Sequence, residues 1–353
     1  MPKAHRAGYG CEERGAHLYF RHSHRAMQRR FVELADVDSM PAAFIHGNPH
    51  LANYAKNVRG AAMVDFDRAR YGPFGYDVSR FLVSLSLRRK DAGEGGFLHK
   101  GVLDAFQRGY VLGAVAPERG FEEMRELVER SPKGWQRDLV RYLEKNKAWA
   151  KRLGKNRIDH RAPRLRALLE SYFASRGEQE LAERYTIADA AEVPGSLGKL
   201  HTLLLIRTDA PELDDYLIDV KEVYDEPDDA HFFNPFDHNG ERMVAAGELH
   251  APDWEFVPGW ASVDGVEYWV RGIPRHHEKL KGRLEPIQQV DLAFAVASQL
   301  GRAHALSLVD HEVDLHARFE TLYGHLVEVA EQLADELTLA RWEFLAALGR
   351  RTD

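Results

Sequence analysis

Cysteine is almost absent from this 353-residue chain. The single Cys11 excludes an internal disulfide and fits a reducing compartment. No apolar run approaches the roughly 18–20 residues that cross a bilayer. Met1 to Arg30 is polar, rich in His and Arg, and lacks an apolar signal core. An excess of positive charge is also missing: 48 Lys and Arg against 55 Asp and Glu give a formal net charge of −7. That balance excludes a general nucleic-acid binder, although the basic stretch Arg141 to Arg157 leaves room for a local anion-binding face. Without internal repeats or low-complexity tracts, solenoid architectures fall away. His276-His277 and the His46/His50 pair have no Cys or carboxylate spacing that completes a zinc set. Ser196 lacks the context of a nucleophile elbow. The expectation is a cytoplasmic protein with no membrane and no nucleic-acid partner.

What is present is ordinary globular material, 44% hydrophobic and 29% charged, in a chain long enough for two lobes. Helical spacing runs through residues 25–36, 77–89, 101–110, 121–130, 135–153 and 163–175. Between the first two lies 41–76, a region of short apolar runs, glycines, prolines and clustered polar residues. Near residue 186 the texture becomes strand-like: LHTLLLI at 200–206, DYLIDVKEV at 215–223 and EYWVRGI at 267–273, with turns at Pro194-Gly195 and Asp264-Gly265. One helix, about 240–250, interrupts the strands. Helical spacing then returns over 292–308 and 312–349.

The sharpest chemical signal is His46-Gly47-Asn48-Pro49-His50-Leu51-Ala52-Asn53, followed by Met63-Val64-Asp65-Phe66-Asp67. Protein kinases have an acid/base Asp, four further residues and a metal-binding Asn, then an Asp-Phe-Gly triplet after a short apolar strand. Asn48 and Asn53 stand at that spacing, and Asp65 follows the apolar stretch Ala61 to Val64. Mg²⁺ prefers octahedral oxygen ligands and bridges phosphates, so an amide oxygen and a carboxylate must converge on it.

The wording of the loop resembles small-molecule kinases of the aminoglycoside phosphotransferase and choline kinase type. The stretch from Phe44 to Leu85, including Gly72-Pro73-Phe74-Gly75-Tyr76-Asp77, is similar to a bacterial family of kinase-like proteins of unknown function. The second half continues the resemblance. Gly195-Ser196-Leu197-Gly198 resembles the family's glycine loop, Val220-Lys221-Glu222 its strand lysine, and Gly240 to Val244 the helix after it. Trp260 and Tyr268 to Arg271 lead toward its hinge. The resemblance implies Mg²⁺ held by Asn53 and Asp65, and ATP phosphates met by Lys221 under Gly195, Ser196 and Gly198. Glu241 is the first choice to fix Lys221, Glu248 the second, and Glu222 competes. Asp77 is implied to open a helix and hold the catalytic loop, a structural role. His46 on its own reads as a buttress of the loop, Asp67 equally as a turn cap, and Gly195 to Gly198 without Lys221 as a hairpin turn.

Two features depart from the resembled pattern. The helix that should run into the catalytic loop, Ala295 to Ser307 with Leu300 and His304, comes after the sheet, whereas the loop stands at residue 46. The implied fold is α+β, a two-lobed protein-kinase-like fold that is circularly permuted. Its expected parts are a helical lobe over 1–183, a β-rich nucleotide lobe over 184–275 and completing helices over 276–353. The position of the catalytic Asp holds Asn48, whose amide takes no proton at neutral pH. His50 or Asp67 is then a candidate substitute base. The expected function is ATP- and Mg²⁺-dependent phosphotransfer to a small-molecule hydroxyl. The alternatives that Asn48 keeps open are a nucleotide-binding pseudokinase and an enzyme that transfers AMP.

Overall fold

The computed structural model describes residues 15–57, 60–119, 151, 153–194, 199–273, 278–279 and 284–349. In chain order, α1 (Gly15–His22) and α2 (His24–Leu34) precede β1 (Ala42–Ile45), β2 (Tyr54–Asn57), β3 (Gly60–Met63) and β4 (Arg70–Pro73). Then follow α3 (Gly75–Asp91), α4 (Lys100–Val115), α5 (Pro163–Ser175) and the short α6 (Leu181–Arg184). Next are β5 (Thr186–Pro194), β6 (Leu200–Arg207), β7 (Tyr216–Glu222), α7 (Asn239–His250), β8 (Phe256–Val263) and β9 (Val266–Gly272). The two-residue β10 (Glu278–Lys279) leads to α8 (Pro286–Leu306) and α9 (Leu315–Gly349). Among the described residues no helix is long and apolar enough to cross a membrane.

The molecule combines helices with an antiparallel five-stranded sheet ordered β5-β6-β7-β9-β8. Strand alternation gives that sheet two different faces. Leu204, Ile206, Ile218, Val220 and Val270 pack against Leu165, Leu168, Leu169 and Tyr172 of α5. The opposite face carries Lys221 and Trp269, opposed in register, with Trp269 packed against Met243 and Val244 of α7. Helix α7 starts where the His238 ring accepts from the backbone N–H groups of Gly240 and Glu241 at 2.9 and 3.3 Å. Helix α8 starts at a capping box of Glu285 and Gln288 with Pro286 in its first turn.

The main apolar core lies among α2, α3, α4, α8 and α9. Helices α4 and α8 approach backbone to backbone, because a Cβ at Gly113 would lie 2.0 Å from the Ser298 carbonyl oxygen and one at Gly301 would lie 2.2 Å from that of Tyr110. The C-terminal end of α8 reaches β1: Ser307 Oγ accepts from Phe44 N at 3.0 Å and Val309 N donates to Ala42 O at 3.0 Å. Strand β1 pairs with β4, and β2 lies between β3 and β10.

Several expectations are refined here. The polar region 41–76 is built from β1 to β4, and α1 was not anticipated. Helix α5 belongs to the apolar core of the sheet, so that unit begins before residue 184. Pro163 opens α5 in a position where its missing N–H costs nothing, and Leu165, Leu168, Leu169 and Tyr172 form its apolar stripe. The expected helix over 121–130, nearly all of that over 135–153, the glycine loop Gly195, Ser196 and Gly198, and His276-His277 lie outside the described residues.

Replacing Gly113 with Ala should destabilise the protein by about 1–3 kcal/mol, because the close backbone approach leaves no room for a methyl group. Urea denaturation checks this, and an unchanged midpoint would show that α4 and α8 pack otherwise.

Candidate functional site

The loop after β1 is hung from one carboxylate. Asp77, in the first turn of α3 and fully buried, accepts from His46 N at 2.7 Å and Gly47 N at 2.9 Å. His304 of α8 lies against it, Nε2 to Oδ2 at 3.2 Å, with Tyr110 OH 2.8 Å from the other ring nitrogen. Burial alone would raise the Asp77 pKa, but the hydrogen bond and charge of His304 hold it below the usual carboxylate range. The turn needs Gly47: its φ is +73°, and a Cβ would strike the Arg68 carbonyl oxygen. His46 is buried, and its Nδ1 accepts from Asn48 N at 3.3 Å.

Asn53 and Asp65 are brought together by the backbone, with Val64 N donating to Asn53 O at 2.7 Å. Asn53 is buried and donates through Nδ2 to Asn48 O at 3.3 Å, while its Oδ1 has no hydrogen-bond partner. An orphaned buried amide oxygen and a carboxylate are together a donor set that suits a hard cation. Asp65 has a left-handed φ of +75°, a conformation that Asp tolerates better than most residues.

Lys221 arrives from β7. Its Nζ donates to Asp65 Oδ1 at 3.3 Å and to both oxygens of Asp67 at 2.7 and 2.6 Å. Burial would lower its pKa, but Asp65 and Asp67 outweigh this and raise it. The ammonium also lies 5.9 Å from the centroid of the Trp269 ring.

Glu241, expected to fix Lys221, is not among the partners of that lysine. It lines a cavity of about 580 Å³ together with Glu248, Arg176, Trp260 and Trp269. The side chain of α7 that hydrogen-bonds to the backbone of the Asp67–Ala69 segment is the neighbouring Arg242, fully buried and donating to the carbonyls of Asp67 at 3.2 Å, Tyr224 at 3.1 Å and Ala69. Burial lowers the Arg242 pKa to about 10, so it remains charged at neutral pH. Nothing in the spacing of an arginine within a helix marks it as buried, and sequence reasoning missed it.

Asn48 has an equally unforeseen partner. Arg80 of α3, fully buried, donates to Asn48 Oδ1 from Nε at 2.9 Å and Nη2 at 2.7 Å. Its guanidinium also donates to Phe20 O at 3.2 Å and stacks 4.0 Å from the Phe20 ring centroid. A guanidinium only donates, so the amide oxygen of Asn48 faces it and the NH₂ group is left for the site. Neither expected substitute base stands open. Asp67 is engaged by Lys221, and His50 is buried beside His17 and Phe20, with its pKa driven well down by burial first and by Arg21 next.

Residues 117–347 match the family described as an uncharacterized protein conserved in bacteria (DUF2252). Residues 11–127, which contain the catalytic-type loop, match the phosphotransferase enzyme family (APH). No curated protein and no solved structure matches the chain.

The buried histidines predict a pH dependence of stability. Burial first, and neighbouring arginines (for His250, the His46 ring) second, lower the pKa of His17 to about 3, of His24 to about 2 and of His250 to about 3. Below their ordinary value near 6.5 the unfolded chain binds protons that the folded chain refuses, so stability falls as pH falls. Each histidine should contribute up to about 1.4 kcal/mol per pH unit across that window. Urea denaturation between about pH 7 and pH 5 measures it. A flat profile would mean that these rings protonate freely in the folded protein.

Proposed function

From a chain that belongs to the bacterial DUF2252 family, and whose N-terminal third matches phosphotransferases, we propose a cytoplasmic enzyme that transfers a phosphoryl group from ATP to a hydroxyl of a small molecule. One observation carries the reading. Lys221 meets Asp65 and Asp67 from more than 150 residues away in sequence, and the backbone pairs Asn53, whose side-chain oxygen is orphaned, with Val64 next to Asp65. The fold is proposed as a kinase-like body whose order is permuted. In support, α8 ends on β1 and its His304 meets the carboxylate that hangs the loop.

In this reading Asn53 and Asp65 hold Mg²⁺, which when bound neutralises phosphate charge. Lys221 exchanges its contact with Asp67 for the α/β-phosphates, acting as a point charge. The family resemblance gives Gly195, Ser196 and Gly198 the role of the phosphate-binding glycine loop. Arg242 keeps the Asp67–Ala69 backbone in place while Lys221 changes partner.

Asn48 orients the acceptor through its NH₂ group and takes no proton. The acceptor oxygen forms the new bond to the γ-phosphorus. The bond from that phosphorus to the β–γ bridging oxygen breaks, and ADP leaves with the electron pair. The hydroxyl proton passes to a phosphoryl oxygen or to water. Phosphoryl transfer rests mainly on positioning and charge neutralisation, so it proceeds without a base, at a cost of about 10²–10⁴ in rate.

Lys221→Ala and Asp65→Ala should each remove most of the thermal stabilisation that Mg²⁺ and a non-hydrolysable ATP analogue confer on the parent. Thermal unfolding with and without nucleotide makes the comparison. A response equal to the parent's in both variants would place the nucleotide elsewhere.

A further inference from the structure

The side of the site that faces Asn48 is crowded with cations. Arg21 lies on α1, Arg25 on α2, Arg80 on α3, and Arg68 follows Asp67 directly. Arg80 holds Asn48. Arg21 is near enough to Asp65 for that carboxylate to raise its pKa, against the larger lowering by burial, and its Nε is buried without a hydrogen-bond partner. Arg68 feels Asp67 and Asp65 in the same way and pairs with Glu226.

Among the described residues, the acidic groups that meet this set are shared or already engaged. Glu226, buried, is shared among Arg68, His24 at 3.7 Å, Arg25 at 3.6 Å and Arg70 at 3.9 Å. Asp65 and Asp67 already meet Lys221. The depressed pKa values of His17, His24 and His50, each lowered first by burial and then by neighbours that include these arginines, report the same positive potential. Around Asn48 the groups that can meet a ligand are its NH₂ and guanidinium N–H groups, which are donors, beside the Asp65 carboxylate that the proposed cation would cover.

We propose that the phosphoryl acceptor is an anion: a small hydroxyl compound that also carries a carboxylate or phosphate, held by Arg21 with Arg25 and oriented by Asn48. This rests on the phosphotransfer reading of the same site. Arginines grouped beside an amide NH₂ pair with carboxylate or phosphate oxygens through charge-assisted hydrogen bonds. A neutral or cationic acceptor would leave Arg21 Nε buried and unsatisfied.

The test separates acceptor from nucleotide. The protein is first saturated with Mg²⁺ and a non-hydrolysable ATP analogue, and inorganic phosphate is then titrated by calorimetry. Phosphate should bind this complex, and Arg21→Gln should weaken it about tenfold or more while the affinity for the analogue stays unchanged. Arg21→Lys, which keeps the charge, should recover part of the loss. If Arg21→Gln does not fold, Arg25→Gln, at a side chain 54% exposed, should weaken phosphate in the same direction. With Mg²⁺ and ATP, turnover should appear with glycerate or glycerol 3-phosphate and not with glycerol or ethanolamine, and the first two distinguish carboxylate from phosphate recognition. Failure of the parent to bind the analogue would overturn the phosphotransfer reading and this inference with it. Analogue binding without phosphate binding, phosphate binding indifferent to the arginine variants, or turnover with ethanolamine would overturn the anionic acceptor alone.

Discussion

The carboxylate of Asp77 is the constraint on which the site depends. It joins three segments that are remote in sequence: the loop at His46 and Gly47, helix α3, and His304 on α8. Its two oxygens take two successive backbone N–H groups, which fixes the direction of the loop as well as its position. Gly47 then turns the chain toward Asn48, with a left-handed φ of +73° and no Cβ to strike the Arg68 carbonyl oxygen. Removing one partner from such a buried charged network costs on the order of 3–5 kcal/mol, since the remaining groups stay buried without compensation. Tyr110 extends the chain of contacts into α4, whose close approach to α8 holds His304 in reach.

A second set of contacts ties the sheet to that loop, and it is made of cations from the sheet side on oxygens of the loop side. Lys221 reaches the carboxylates of Asp65 and Asp67, and Arg242 reaches the carbonyls of Asp67 and Ala69. The two differ in what they can exchange. The lysine contacts are to carboxylates, Asp65 among them well exposed, and in the proposed reaction phosphate replaces them. The arginine contacts are fully buried and act on the backbone, which suits a permanent brace.

Much of this was legible in the sequence, for physical reasons that differ by element. Strands β6, β7 and β9 announce themselves because their β-branched and leucine-rich runs sit between Gly, Pro and Asp turns. Asn53, Asp65 and Lys221 stand out in the sequence because kinase-type motifs restrict residue type and spacing, and the structure brings Lys221 to Asp65. Arg80 and Arg242 were not legible, since an arginine in a helix reads as a solvated charge and only tertiary packing buries it. The choice of Glu241 failed for a related reason: its spacing from Lys221 permits a pairing, but two nearer carboxylates of the Asp65–Asp67 segment satisfy the lysine first. Helix α5 was assigned to the wrong core because its apolar stripe shows that it packs, not against what.

The central claim is that Asn53 and Asp65 share one divalent cation with a nucleotide. Mn²⁺, which substitutes for Mg²⁺ on oxygen ligands, tests this by electron paramagnetic resonance in the presence of a non-hydrolysable ATP analogue. The account predicts a tightly bound ion in the parent whose spectrum depends on the nucleotide. Asn53→Ala and Asp65→Ala should each weaken or abolish it, whereas Glu241→Ala should leave it unchanged. A bound ion indifferent to both Asn53 and Asp65, or lost on changing Glu241, would contradict the account.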